Sequence, residues 1–457
     1  MAQAFFGGVH PHDMKAATNE KAIEQLAPPA VVVIPMSMHF GAPCTPLVKA
    51  GDHVKVGQKI GEFHGLGAPI HASVSGTVKA VEPRPYSMGG NITSVVIEND
   101  MQDEVSEEVQ APADPNALSV EEMVEIVKNA GIVGMGGATF PTHVKITSGI
   151  GKVNTVIING AECEPYITGD HRTMLERPEE IIGGAKFLAK MFGVDKVVIG
   201  VEDNKRNGID AMNKVIAEQK APVVVEPLRC RYPQGGEKQL CQAITGRQVP
   251  PGGLPADIGC AVFNINTTCA IYRALTTGMP VVRKIVTVSG SGVVEPKNLE
   301  CPIGTPVSSL LDACGGLKDG TYKLIAGGPM MGMAQYTADI SVAKGTGAIL
   351  AFCENEEKTV ENPQCIRCGK CVSVCPMHLE PLFMYQYASK GMVEELNDAH
   401  IMDCMECGAC SYICPARMHL THMFKTGKQL VKDKAAADRA AAEAKKKAEE
   451  AREAAAK

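Results

Sequence analysis

Eight cysteines near the C-terminal end carry the most specific chemistry in this sequence. Cys365, Cys368, Cys371 and Cys375 run up to Pro376, and Cys404, Cys407, Cys410 and Cys414 run up to Pro415. Both strings read C-x2-C-x2-C-x3-C-P. A cubane iron–sulfur cluster takes four thiolates at four iron corners. Three cysteines spaced by two residues let one short loop wrap three corners, and where such strings are paired the fourth cysteine of each serves the other cluster. The spacing therefore predicts one [4Fe–4S] cluster on Cys365, Cys368, Cys371 and Cys414, and a second on Cys375, Cys404, Cys407 and Cys410. Zinc or disulfides are the alternatives. Structural zinc favours two separated cysteine pairs over a triple plus one. The rest of the 17 cysteines are scattered singly, without the spacing of a disulfide framework.

The elements upstream must then feed electrons to these clusters or take them away. After an acidic, proline-bearing linker (101–117), Ser119 and Glu122 form a capping-box pair that predicts a helix with Met123, Ile126 and Val127 on its buried face and Gly131 at its end. Gly134, Gly136 and Gly137 follow, with Phe140 and Lys145 close behind. Glycines packed this densely let a backbone approach a phosphate or a flavin ring and turn its N–H groups inward. Alternating strand and helix patterns come next: strands over 153–158, 196–201 and 222–225, with helices over 179–192 and 204–218 between them. That order predicts a parallel sheet with helical cover. Ligands of such sheets lie beyond the strand C-termini, where Asn159, Glu162 and Glu164 stand. Two further polar loops carry Tyr232, Gly235 and Glu237, then Asn264 and Thr268.

Two families match these residues. The 134–145 stretch resembles the flavin loop in the NADH-binding flavoprotein subunit of respiratory complex I. Asn159-Gly-Ala-Glu162-Cys-Glu164-Pro with Asp170, Tyr232–Glu237 and Asn264–Thr268 resemble three further loops of that subunit. The resemblance implies an FMN site with NADH stacked over the flavin. Gly134, Gly136, Gly137, Lys145, Asn159 and Asn264 would hold FMN, and Phe140, Glu164 and Glu237 would face the nucleotide. Glu162, Tyr232, Gly235 and Thr268 would complete the site. Met135 stands where that family has arginine, Thr139 and His143 where it has glycine, and Gly236 where it has glutamate. The combination of this core with two cluster motifs behind it and a barrel-sandwich in front resembles the C subunit of Rnf (Rsx) ion-translocating electron-transfer complexes, as does the opening Gly7-Gly8-Val9-His10-Pro11.

The implied fold class is a multidomain α/β plus β chain. Residues 1–27 are an extension that packs onto the body. Residues 28–100 are a barrel-sandwich of the lipoyl type, whose hairpin stretch Phe63–Gly67 lacks the lysine that bears a cofactor in carrier domains. Residues 119–280 are a Rossmann-like FMN/NADH core, and 281–352 a β-grasp module of the soluble-ligand-binding type with a packing role. Residues 353–432 are a helical two-[4Fe–4S] ferredoxin domain, with two short helices broken at Gly391 between its cysteine strings. Residues 433–457 are an Ala/Lys/Glu/Arg tail, helical and solvated or disordered.

Composition sets the limits on function. A net charge of −6 and the absence of Trp argue against nucleic-acid binding. No basic-then-apolar leader is visible, and no apolar run approaches the ~20 residues that span a bilayer, so the chain is expected to be peripheral. Hydride donors release two electrons and clusters accept one, and flavin interconverts the two. Together with these limits, the resemblance to Rnf C subunits implies a peripheral NADH/FMN/iron–sulfur subunit on the cytoplasmic face of the cell membrane. It would pass electrons between NADH and ferredoxin, with Na+ or H+ moved by partner subunits that include a ferredoxin-like iron–sulfur protein. A soluble NADH-dependent diaphorase subunit, or an iron–sulfur relay without flavin, are the alternatives.

Overall fold

The computed structural model describes residues 5–354 and 360–455, with side chains to residue 448. The chain forms two compact units: residues 10–354, and residues 5–9 together with 360–455. Each is described by itself.

In the larger unit, residues 31–99 build two small antiparallel sheets. One carries Val31–Pro35, Asn91–Asn99, Gly76–Pro85 and His53–Val54 in that spatial order; the other carries Thr45–Pro46, Lys59–Glu62 and Ile70–His71. Alternate Val and Ile side chains face inward, so Val32, Ile34, Ile60, Ile70 and Ile97 are fully buried. Gly65 takes a φ of 74°, turning the hairpin that lacks the carrier lysine.

The capping box at Ser119 forms as the sequence predicts. Its hydroxyl accepts from the Glu122 N–H (3.2 Å), while the Glu122 carboxylate accepts from the Ser119 N–H (2.7 Å). The helix runs Val120–Asn129 and buries Met123 and Val127. A four-stranded parallel sheet then follows in the order Val223–Leu228, Val197–Glu202, Thr155–Gly160, Cys260–Asn264. The first three of these strands in sequence step outward in one direction, and the fourth returns to the far side of the first. This reversal between Thr155–Gly160 and Cys260–Asn264 opens the crevice at which ligands of such sheets bind. Gly169–Glu176 and Thr142–Gly149 are helices with no strong periodic signal in the sequence, held by their surroundings more than by their own pattern.

The third sheet has six strands, in the order Ile23–Gln25, Lys297–Pro302, Arg283–Ser289, Ala348–Cys353, Thr321–Ala326, Met333–Gln335. Ile23–Gln25 belongs to the stretch expected to be a packed loop. It adds a parallel edge strand beside Lys297–Pro302, which a run of three residues is too short to announce by alternation.

The three modules of this unit are joined by a buried lysine. Lys344 is 1% exposed, and its ammonium donates to the carbonyls of Pro69 in the sandwich and Gly131 in the α/β core, both at 2.7 Å. Burial lowers its pKa from 10.5 to about 7. Between those values the folded chain binds fewer protons than the unfolded chain, so this residue makes stability climb as pH rises from about 7 toward 10.5. Lys344→Met is expected to flatten that climb. Melting temperatures at pH 7 and pH 9 check it; a variant whose melting temperature shifts with pH as the parent's does would contradict the assignment.

In the smaller unit, Pro381–Lys390 and Val393–Asp398 are the two short helices predicted between the cysteine strings, with Gly391 at a φ of 67° capping the first. Leu420–Ala455 is one long helix. Its first turns bury Leu420, Phe424 and Val431 against Met384, Ala388 and Leu396, and its exposed half from 433 onward is helical among the described residues. Among those residues no helix is long and apolar enough to cross a membrane.

Candidate functional site: a nucleotide crevice and two cysteine quartets

Asn159 and Asn264 lie at the ends of the two strands that flank the crevice, and they are register partners in the parallel ladder. Asn264 is the N-cap of the helix Ile265–Thr277, its Oδ1 accepting from the N–H groups of Asn266 and Thr267. Its Nδ2 donates to Asp170 (2.7 Å), which also accepts from the Asn266 side chain. Asn159 donates to the carbonyl of Gly235 (2.8 Å) and accepts from the Ala161 N–H. The loops at 134–139, 159–170, 232–237 and 264–268 thus meet over one sheet edge.

The glycine loop forms the outer wall. It is closed by the Gly134 N–H on the Phe140 carbonyl (3.0 Å) and pinned beneath by Thr267, whose hydroxyl accepts from the Met135 N–H and donates to the Val133 carbonyl. Gly136 and Gly137 form its exposed crest. A Cβ on Gly136 would stand 2.6 Å from the Asn264 amide, and one on Gly137 would meet nothing within 4 Å. Thr139, where glycine was expected, holds a left-handed φ of 51°, and its carbonyl accepts from the Phe40 N–H of the sandwich (3.0 Å). The rings of Phe40 and Phe140 lie 5.9 Å apart. Lys145 reaches Glu237 (2.8 Å) and the Val262 carbonyl (2.9 Å), with both side chains of the pair partly exposed. A bare backbone crest, an ammonium and a crevice beyond parallel strand ends are together what a phosphate-bearing planar cofactor requires.

Several residues expected to face the ligand point elsewhere. Glu162 is buried, with its oxygens accepting from the Asp170 and His171 N–H groups and lying 3.8 Å from Lys15. Burial raises its carboxyl to about 7. Thr268 is fully buried and donates to the Asn264 carbonyl, the one-turn-back bond of a helical threonine. Tyr232 is buried with its hydroxyl on Glu164. These three side chains hold the loops together. Gly235 packs under the Ala161 carbonyl, where a Cβ would collide.

Two lysines had no motif to mark them. Lys15, from the N-terminal extension, is buried and donates to the carbonyls of Glu162, Glu164 and Ile167; burial lowers its pKa. Lys284 is buried beneath the glycine loop, donates to the Met135 carbonyl (3.3 Å) and is lowered by burial to about 8. A lone lysine in a loop or strand gives no periodic signal, so only the folded chain reveals either.

In the smaller unit the two cysteine strings adopt one backbone shape twice. Cys365 and Cys404 each accept from the N–H two residues on, Arg367 and Glu406, at 3.4 Å. Arg367 and Glu406 have φ of 54° and 57°, Gly369 and Gly408 have 75° and 78°, and His378 and Arg417 have 56° and 57°. One cavity is lined by Cys365, Cys368, Cys371 and Cys414. Another is lined by Cys375, Cys404, Cys407 and Cys410, with Met377, Met384 and Phe424 around them. Each predicted quartet therefore converges on a cavity of its own. Four thiols spread around a cavity suit a cubane, whose irons stand at separate corners. Cys365 and Cys368 are exposed, whereas Cys375, Cys407 and Cys410 are buried. The opening residues pack here as well: Phe6 stacks on His378 at 4.4 Å, and the Gly8 N–H donates to the Val374 carbonyl.

A crevice of this kind in one unit and paired cysteine quartets in the other define a flavin- and iron–sulfur-dependent electron carrier, and comparison with known proteins agrees. Family models match for the RnfC barrel sandwich hybrid domain (residues 3–102), the Nuo51 FMN-binding domain (127–273), the SLBB domain (285–334) and the 4Fe-4S dicluster domain (358–415). The C subunit of the Na(+)-translocating ferredoxin:NAD(+) oxidoreductase complex of Acetobacterium woodii is 45% identical over 87% of this chain and 90% of its own length. Its proton-translocating counterpart in Clostridium ljungdahlii is 43% identical over 88% of each. The C subunit of the ion-translocating oxidoreductase complex of Rhodobacter capsulatus is 41% identical over 82% and 73%. The chain belongs to the family of Rnf complex C subunits, and it carries an FMN-binding domain and a two-[4Fe–4S] domain.

Two outcomes are expected. Cys414→Ala should halve iron per chain, to about four atoms, by emptying the quartet that it shares with Cys365, Cys368 and Cys371, and adding Cys368→Ala should cost no further iron; a double variant that loses all its iron would contradict the crossed sharing. Thr139→Gly should stabilise the fold by about 1 kcal/mol in denaturant titration by relieving its left-handed φ, with FMN content unchanged; a loss of stability would contradict strain at that residue.

Proposed function

We propose that this chain is the NADH-side electron-transfer subunit of a membrane-bound, ion-translocating ferredoxin:NAD+ oxidoreductase, lying at the cytoplasmic face and exchanging electrons with a ferredoxin-like iron–sulfur subunit. The observation that carries the reading is the convergence of the four nucleotide-type loops on the reversal point of the parallel sheet, in a chain that also holds two cysteine quartets. FMN, when bound, supplies the exchange between a two-electron hydride and the single electrons that [4Fe–4S] clusters carry.

The residues of this chain do the positioning. Gly134, Gly136 and Gly137 offer bare backbone to the cofactor, with Lys145 as the nearby cation and Asn159 and Asn264 holding the crevice walls at a fixed separation. Phe140, with Phe40 beside it, offers an apolar face for a nucleotide ring. Glu237, paired with Lys145, is the carboxylate at the glycine loop, and Glu164, whose carboxylate accepts from the Met330 N–H, can accept from ribose hydroxyls only once that contact is given up. Because hydride transfer from a nicotinamide to a flavin needs no protein acid or base, the expected role of these side chains is orientation and the exclusion of water. The eight cysteines hold the two clusters. Backbone N–H groups aimed at Cys365, Cys375 and Cys404 stabilise thiolate charge there and so bear on the cluster potentials.

The test is an anaerobic titration of the reconstituted chain. NADH is expected to bleach the visible flavin bands, and Lys145→Ala to cost most of the FMN content. A chain that binds no FMN, or holds FMN that NADH leaves oxidised, would favour the iron–sulfur relay over this function.

A further inference from the structure

Glu164 sits on the loop that the proposed function places at the nucleotide, yet its carboxylate is not offered to a ligand. It accepts from the Met330 N–H (3.1 Å), has the Met331 N–H directed at it as well, and lies 3.4 Å from the Tyr232 hydroxyl. Met330 and Met331 belong to the glycine-flanked turn 327–332 of the SLBB module, outside the α/β core that carries Glu164. The turn is folded on itself, with Gly327 at a φ of 98° and the Gly332 N–H on the Gly328 carbonyl (2.8 Å). Consecutive N–H groups pointing into one concavity are an anion-binding arrangement, and here the anion is a side chain of the same protein. Gly328 rests against that carboxylate so closely that any Cβ would overlap it.

We propose that the 327–332 turn is a latch on the nucleotide site, holding the Glu164 carboxylate withdrawn until a dinucleotide whose ribose hydroxyls compete for it draws it out. The inference rests on the reading of Glu164 as a nucleotide-facing residue. It gives the SLBB module a positioning role where packing alone was expected. The latch holds weakly. Burial disfavours the charged carboxylate and raises its pKa to about 7, and the cation nearest that loop, Lys15, donates to the Glu164 carbonyl and not to its carboxylate. Release therefore exchanges the Met330 hydrogen bond, the nearby Met331 N–H and a long tyrosine contact for solvent and ligand partners.

Gly328→Ala separates this role from a structural one. The three atoms nearest the added methyl all belong to the Glu164 side chain, and Gly328 has no left-handed φ, so the clash of an alanine falls first on the latch. NAD+ binding is measured by calorimetry on the full chain loaded with FMN and clusters. Gly328→Ala is expected to tighten binding roughly fivefold, a modest coupling between sites. Glu164→Gln should weaken it roughly tenfold, the worth of one hydrogen bond to a charged group. The double variant should bind as Glu164→Gln alone, because the turn acts only through that carboxylate. If Glu164→Gln leaves NAD+ affinity unchanged, the placement of Glu164 at the nucleotide fails. If Glu164→Gln weakens binding but Gly328→Ala leaves it unchanged, weakens it, or acts equally in both backgrounds, the latch is overturned. Amide exchange in the unaltered chain gives a second reading free of substitution: Met330 and Met331 should exchange faster once NAD+ is added, and unchanged or slower exchange contradicts the proposal.

Discussion

The nucleotide site depends on one constraint of the parallel sheet: Thr155–Gly160 and Cys260–Asn264 end side by side, with Asn159 and Asn264 in register. Everything chemical in the larger unit is placed by what those two amides do. Asn264 caps a helix and fixes Asp170, and Asn159 ties the 232–237 turn to the strand end. The glycine crest then lies against Asn264 closely enough to exclude a Cβ at Gly136. Breaking the register would pull apart loops that each reach the crevice from a different stretch of chain.

Buried lysines perform the second task, which is joining modules. Lys15, Lys284 and Lys344 each bring an ammonium into a nearly dry interior and aim it at backbone carbonyls from another part of the chain. A carbonyl is a weaker counter-charge than a carboxylate, so burial depresses all three pKa values. Such contacts add little net stability, because desolvation offsets most of the attraction. What they specify is geometry. An apolar residue could fill the same space and would leave between one and three carbonyls without donors.

Much of this was legible in the amino-acid sequence, for physical reasons that differ by element. The capping box at Ser119, the break at Gly391 and the βαβ run from 153 onward are local patterns, and local patterns survive without tertiary information. The cysteine strings were readable because cluster geometry demands that spacing, and the folded chain brings each quartet to one cavity. The four nucleotide loops were marked by glycines and polar residues beyond the strand ends and given their roles by resemblance to a family, and resemblance locates a loop without orienting its side chains. Glu162, Thr268 and Tyr232 show the difference: each lies in the expected loop and turns inward. The edge strand Ile23–Gln25, the lysine pins and the contact of the SLBB turn with Glu164 link residues more than a hundred positions apart, and no window of sequence contains them.

The smaller unit reaches its order by repetition. Two strings with matching left-handed residues and matching N–H···S bonds form one motif used twice, and the exposure of its two halves differs, with Cys365 and Cys368 at the surface and Cys407 and Cys410 beneath it. In the proposed function this one polypeptide divides a two-electron donor into single electrons. Rapid-freeze EPR after mixing the anaerobic, fully loaded chain with a single equivalent of NADH tests it most directly. Spin from reduced cubane clusters is predicted to grow in as the reduced flavin loses its electrons one at a time. Flavin that stays fully reduced beside clusters that never acquire spin, or quartets that hold zinc in place of iron, would contradict it.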